Sequence, residues 1–192
     1  MELKLLQVGE PVLRETARTL SRDEIGSERI QRLIQSMHDT LRAAPGVGLA
    51  APQIGEAIQL AIIEDLSEYM KEVREEELAI RERRPVPFHV IINPRITFSA
   101  DDKVDFFEGC LSLAGFMAVV PRARKVIVQC LDERGNERAI HASGWYARIL
   151  QHEIDHLNGT IYIDRMQSRT FALLENYKKY SQTAALADTR AT

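Results

Sequence analysis

A chain of 192 residues, 45% hydrophobic and 28% charged, has the balance of one globular domain with a sizeable core. Its 25 basic and 28 acidic residues leave a net charge of −3, which gives no electrostatic footprint for nucleic acid, and two cysteines exclude a disulfide framework. The opening MELKLLQVGEPVLRE lacks the features of a secretory signal and no run is long enough to span a bilayer, so a cytosolic or equivalent reducing compartment is expected.

Leu3–Val8 reads as a weak strand, Glu10-Pro11 as a turn, and Ser21–Glu24 has the spacing of a capping box. Ile30, Leu33, Ile34, Met37 and Leu41 recur at helical spacing, which predicts a helix from Ser27 to Ala44 that Pro45-Gly46 stops. Gly46–Gly55 reads as a loop, and Ile58–Glu64 as a strand. The run Ser67–Arg84 is rich in Glu and Arg and ends at Pro85-Val86-Pro87. It reads as an exposed, partly helical insertion with no chemistry of its own.

Phe88–Ile92 is a predicted strand closed by Asn93-Pro94, with Arg95–Ser99 as a candidate continuation. Asp105–Leu113 carries a tight, glycine-containing turn. Strands are predicted near Phe116–Val120 and Ala123–Leu131, and Asp132–Asn136 makes a hairpin turn from which Glu137–His141 returns. Gly144 opens a helix to about Asn158, with Gly159 as its left-handed cap. Trp145, Ile149, Leu150, Ile154 and Leu157 make that helix apolar nearly all round, so it should be buried. A short strand, Thr160–Ile163, follows. Ser168 then caps a last helix with Phe171, Leu174 and Tyr177 on one face, and the tail after Ala184 frays. The expected architecture is a single α+β catalytic domain over 1–192, with short, mostly antiparallel strands around one central helix.

That helix carries the chemistry. His152 and His156 are four residues apart, on one face, with Cβ atoms roughly 5–6 Å apart. Both rings can reach one metal ion at about 2.0–2.1 Å. Glu153, about 100° around the helix, sits beside the ion as a general base for a water molecule. A catalytic metal wants a third protein ligand. Glu175 is a weak candidate on an exposed helix face. Cys110, in the turn Glu108–Ser112, is the stronger one, whereas Cys130, inside an apolar strand, reads as a small buried hydrophobe. Glu108 and Arg122 are either a brace behind that turn or a surface pair. His38, His89 and His141 read as structural side chains.

Three segments together, Gly46–Gln53 (GVGLAAPQ), Glu108–Ser112 (EGCLS) and Gln151–Leu157 (QHEIDHL), resemble the peptide deformylase family in order and spacing. The similarity runs from about Leu5 to Arg169, and Ala142–Leu150 and Ile161–Met166 resemble the branch that includes organellar as well as bacterial forms. The resemblance implies removal of the N-formyl group from the initiator methionine of nascent polypeptides, giving formate and a free amine. It assigns Cys110, His152 and His156 to a metal, iron(II), with zinc, nickel or cobalt as substitutes. A water on the metal would be the nucleophile and Glu153 the general acid/base. The Gln53 side-chain amide and the Leu111 N–H would stabilise the oxyanion. Gly48 and Gly109 would offer main-chain contacts. Val47, Phe106, Trp145, Ile149 and the His152 ring would wall the methionine slot, with Arg148 at its rim. For Phe106 and Ile149 a plain core role is equally open. Met117 stands where other forms carry arginine, which leaves the peptide clamp unassigned. The implied partners are formyl-methionyl nascent peptides and the ribosome, the latter through Lys178 and Lys179, in the bacterial cytosol or an organellar matrix.

Three other readings start from residues of these segments. A zinc endopeptidase would take Glu175 as ligand. The glycines at 46 and 48 with Ala51 match a dinucleotide-binding fingerprint, but a helical pattern precedes them, and Pro52 and Gly55 leave no room for the helix that should follow. A closed structural metal site fits poorly, because it wants four ligands and would leave Glu153 idle.

Overall fold

The computed structural model describes residues 3–98 and 102–180. In chain order the regular elements are α1 (Arg22–Ile25), α2 (Glu28–Ala43), β1 (Gly48–Ala50), β2 (Leu60–Asp65), α3 (Glu75–Ile80), β3 (Val86–Phe98), β4 (Lys103–Cys110), β5 (Leu113–Ala123), β6 (Lys125–Leu131), β7 (Glu137–Ser143), α4 (Gly144–Leu157) and β8 (Ala172–Leu173). The strands form two antiparallel sheets, one ordered β1-β2-β3-β6-β7 and one ordered β4-β5-β8. This is the expected α+β architecture.

The larger sheet is buried on both faces, and the two-residue period of its strands decides which side chain goes where. Ala61, Ile63, Ile91, Val126, Val128 and Ile140 point to one face, where Ala147, Leu150, Ile154 and Leu157 of α4 cover them. Leu60, Ile62, Val90 and Ile92 point to the other, where Ile30, Ile34, Met37 and Leu41 of α2 complete a second core. The stripe predicted on α2 is therefore its packing face. The hydroxyl of Ser27 accepts from Ile30 N–H, and Ser21 and Glu24 close the predicted capping box at α1. The smaller sheet has its own core, in which Ala118 and Val120 meet Leu13, Ile161 and Tyr162.

Helix α4 is fixed at its start by backbone rather than by a capping side chain, and at its end by the Asn158 side-chain amide, which donates to Ile154 O at 2.9 Å, and by a glycine. At its start, Gly144 N–H donates to Arg124 O at 2.9 Å and Trp145 N–H to Arg81 O at 2.8 Å, satisfying amides that would otherwise be orphaned. At its end Gly159 has φ +69°, and a Cβ there would lie 2.5 Å from Arg14 O, so both the conformation and the space call for glycine.

Several expectations are corrected. Leu3–Val8 forms no strand, although Leu6 N–H and Val8 N–H bond Gln53 O and Ser112 O. Asn93, at φ +50°, makes a bulge and not an end, so β3 runs on to Phe98 through a register shift between Ile92 and Arg95; Ser99 lies outside the described residues. Asp105–Cys110 is strand, with the turn confined to Leu111 and Ser112. Tyr162–Asp164 is a 3-10 turn instead of a strand. Ser168–Thr170 is another, and β8 intervenes before helical residues 174–180. The tail after Ala184 also lies outside the described residues.

Candidate metal centre

The β4–β5 hairpin delivers Cys110 to the buried helix. The register slips between Gly109 and Cys110, where the strand turns over. The Cys110 sulfur then lies 3.2 Å from His156 Nε2, and the His152 and His156 rings stand 5.0 Å apart on successive turns of α4. The ligand atoms of Cys110, His152 and His156 all fall within 4.8 Å of one another, the only such group among the described residues. Bonds of about 2.0–2.3 Å from one ion reach a set of that size. Glu175 is exposed and outside it.

A buried charge network orients this set. His152 Nδ1 meets Glu108 Oε2 at 3.0 Å, which leaves Nε2 for the metal. Glu108 is gripped by both prongs of Arg122, at 2.9 Å each, and by Arg148 at 2.6 Å. Arg122 also bonds Asp155, which Arg165 holds from the far side at 2.7 and 2.8 Å. Glu108, Arg122 and Arg148 are each 5% exposed or less, so the Glu108–Arg122 pair is a brace and not a surface contact. Burial works to raise the Glu108 carboxyl, but the bonds from His152 and Arg122 outweigh it and hold the group far below the usual carboxylate range. Burial likewise opposes a charge on His152. Its bonds to Cys110 and Glu108 nevertheless raise it well above an ordinary histidine, whereas burial and the neighbouring His152 push His156 well below.

Glu153 is 3% exposed, and its Oε2 is buried without a partner. Burial pushes its carboxyl up to about 7. The β1 backbone lies directly against it: a Cβ on Gly48 would come within 2.3 Å of Glu153 Oε1, so any side chain at position 48 displaces the carboxylate. A buried carboxylate oxygen with nothing to accept from, beside one thiol and two imidazoles, fits a divalent metal with an open position for water.

Gln53 is oriented from both ends of its amide. Its Oε1 accepts from Ala50 N–H at 2.9 Å, so its Nε2 faces Ser112 Oγ at 3.2 Å and the Cys110 sulfur at 3.5 Å. Gln7, which sequence reading passed over, bonds Leu111 O and Ala114 N–H and pins the turn after Cys110.

The cavity beside the metal ligands has a volume of about 580 Å³, and Val47, Gly48, Gln53, Gly109, Leu111, Trp145, Arg148, Ile149, His152 and Glu153 all line it. Phe106 does not. Its ring lies under the guanidinium groups of Arg81 and Arg148, 5.3 and 5.2 Å away, contacts that belong to the packing role, one of the two left open for it. Arg148 reaches the wall, but its guanidinium is committed to Glu108 and to the carbonyls of Val104 and Val120, which makes it a brace of the hairpin.

The charged insertion was expected to stay in solvent, and Arg81, Glu82 and Arg83 near its end are instead partly buried. Arg83 forms a two-pronged pair with the fully buried Asp65 and lines the cavity. Arg81 and Arg83 lie 5.0 and 5.4 Å from the Trp145 ring, steadying that wall. The structural readings of His38 and His89 agree with their contacts: His38 bonds Glu64 and stacks on Phe88, and His89 bonds Tyr146. Cys130 is buried in β6 with its thiol pushed up to about 11 by burial, an inert side chain.

A sequence model of the polypeptide deformylase family matches residues 2–172. The chain is 48% identical over 172 residues to the chloroplastic peptide deformylase 1A of Solanum lycopersicum, covering 90% of this chain and 62% of that one. It is 42% identical over 165 residues to the mitochondrial peptide deformylase of Homo sapiens, covering 86% and 68%. The chain thus spans less than two thirds of the tomato protein. Among solved structures, the Met-Ala-Ser-bound class I type b peptide deformylase of Acinetobacter baumannii superimposes with a TM-score of 0.76 at 30% identity, over 86% of this chain and 99% of that one. A peptide deformylase of Synechococcus elongatus in complex with actinonin gives 0.71 at 38% identity, over 86% and 79%.

Proposed function

This chain belongs to the polypeptide deformylase family, and from that premise we propose that it hydrolyses the N-formyl group of formyl-methionyl nascent peptides to formate and a free amine. The observation that carries the reading is the meeting of Cys110, His152 and His156 beside the partnerless Oε2 of Glu153.

Cys110, His152 and His156 would hold the metal, for which a mixed thiolate and imidazole set suits iron(II), with zinc, nickel or cobalt as substitutes. Bound there, the ion supplies polarisation of the formyl carbonyl and a water whose pKa falls towards about 7. Glu153 takes the proton of that water at its free oxygen and returns it to the departing amine as the carbon–nitrogen bond breaks. A carboxyl near 7 is matched to both halves of that transfer. The Gln53 amide and the Leu111 N–H donate to the charge that develops on the formyl oxygen, each worth about 10²–10³ in rate. Val47, Trp145, Ile149 and the His152 ring give the methionine side chain an apolar slot, and the backbone at Gly48 and Gly109 passes close enough to bond the peptide. The setting is the bacterial cytosol or an organellar matrix, with the ribosome nearby.

Formate release decides the matter. Protein purified anaerobically and carrying metal is expected to release formate from formyl-Met-Ala-Ser, to leave acetyl-Met-Ala-Ser intact and to cut no internal peptide bond. A metal-loaded sample that releases no formate from any formyl-methionyl peptide overturns the reading.

A further inference from the structure

Arg81, Glu82 and Arg83 form a strap across the start of α4, and each is tied to a different part of the fold. Arg81 O accepts from Trp145 N–H at 2.8 Å, and the Arg81 side chain is held by Glu77 at 2.9 Å. Glu82 accepts from Arg124 Nε at 2.6 Å, and Arg124 O in turn accepts from Gly144 N–H at 2.9 Å. Strap and helix touch: a Cβ on Gly144 would lie 2.4 Å from Glu82 Cβ. Arg83 reaches on to Asp65, at 2.9 and 2.8 Å, and Asp65 is wholly buried at the end of β2. A planar two-pronged pair of this kind fixes direction as well as distance. It leaves the guanidinium group of Arg83, like that of Arg81, over the Trp145 ring. The indole Nε1 of Trp145 is buried without a hydrogen-bond partner among the described residues. Packing and these two cations therefore orient the ring, not a bond of its own.

Resting on the deformylase reading, we propose that Arg83, through Asp65, is a positioning residue that sets the width of the methionine slot by holding the Trp145 ring. A slot that tells side chains apart by shape depends on a wall that does not yield. A difference of one methylene gives only about 10- to 200-fold, and only if the pocket keeps its form. With the indole held, the slot admits a slender, flexible thioether and resists a rigid aromatic ring. With the indole loose, methionine loses contact and the wall gives way to the larger side chain. Substrate choice is thereby tied to an insertion that supplies no ligand to the metal centre.

Kinetics on formyl-Met-Ala-Ser and formyl-Phe-Ala-Ser test this in the metal-loaded native protein, in Arg83→Lys and in the double variant Asp65→Asn/Arg83→Gln. The double variant removes both charges together, so neither is left buried and unpaired. Lysine keeps the charge opposite Asp65 but has neither the fork nor the flat face. The native protein is expected to favour the methionine peptide by roughly 10²-fold in kcat/KM. The double variant should lower that ratio roughly 10-fold, with KM for the methionine peptide raised and its kcat kept, and Arg83→Lys should fall between. Metal content should stay at the native level. Trp145 is the single tryptophan, and acrylamide should quench its fluorescence more strongly in the variants. If the double variant fails to fold, Arg83→Lys carries the comparison. No preference in the native protein, an unchanged ratio in the variants, or an equal loss of kcat on both peptides overturns the proposal; the last is what a merely structural pair would give. If no formate appears at all, the deformylase reading fails, and the quenching still decides whether Arg83 holds the ring: unaltered quenching means that it does not.

Discussion

Glu153→Gln should lose about 10²–10⁴ of the rate of formate release while keeping its metal. The glutamine is nearly isosteric and fits against Gly48, so the ligands on either side keep their places. What disappears is a proton acceptor. In the native chain the carboxyl sits at about 7 because burial disfavours its charge. A metal ion beside it pulls that value down, so the acid limb of the kcat/KM profile is expected at or below 7, and Glu153→Gln should lack it. Stability of the metal-free protein gives a second readout. A carboxyl whose folded pKa is raised contributes most below its unfolded value, near 4.5, and loses that contribution as pH rises through about 7. Metal-free Glu153→Gln should therefore be the more stable protein above neutrality, by thermal unfolding at matched pH. A variant with native turnover would remove Glu153 from the chemistry.

Glu108→Ala should be the most damaging change outside the ligands themselves. It leaves Arg122 and Arg148 buried without their shared carboxylate and takes the acceptor from His152 Nδ1. Breaking a buried pair by removing one partner costs about 3–5 kcal/mol. At roughly 2–4 °C per kcal/mol for a chain of this size, the melting temperature should fall by about 6–20 °C. Metal affinity should drop by about 10- to 100-fold as well, because the ring of His152 is no longer oriented. Glu108→Gln keeps shape and one acceptor and should fall between. The native pair also sets an acid limit: its carboxyl is held far below the usual range, so the stability it adds is present above about 4.5 and fades as the pH drops further. Calorimetry and chelator competition on the same samples measure both effects.

The parts of this site that were legible beforehand are the local ones. The four-residue spacing of His152 and His156, the glycine stop at Gly159 and the stripe on α2 each depend on neighbours within a turn or two of helix. The choice between the two cysteines was also legible, because a glycine precedes Cys110 where β4 gives way to a turn, whereas Cys130 stands in an apolar strand. The brace behind the metal was half visible. Glu108 and Arg122 face each other across one hairpin, but Arg148 and Asp155 come from a helix whose docking no spacing rule predicts. Phe106 stood open between two roles for a related reason: matching its position says nothing about whether its ring turns to the cavity or beneath the two guanidinium groups that it meets. The insertion misled most. A run of Glu and Arg reads as a solvated face, and charge counting cannot say that Arg83 finds Asp65, eighteen residues earlier and wholly buried. The strand character of Asp105–Cys110 was hidden because its two faces are unevenly buried, which blurs the alternation that marks a strand.

The most direct measurement is metal content per chain in the native protein and in Cys110→Ser, both made anaerobically without added salts. About one equivalent of a divalent metal is expected in the first and almost none in the second. A full equivalent retained by Cys110→Ser would show that the metal is held by other residues and would contradict that expectation.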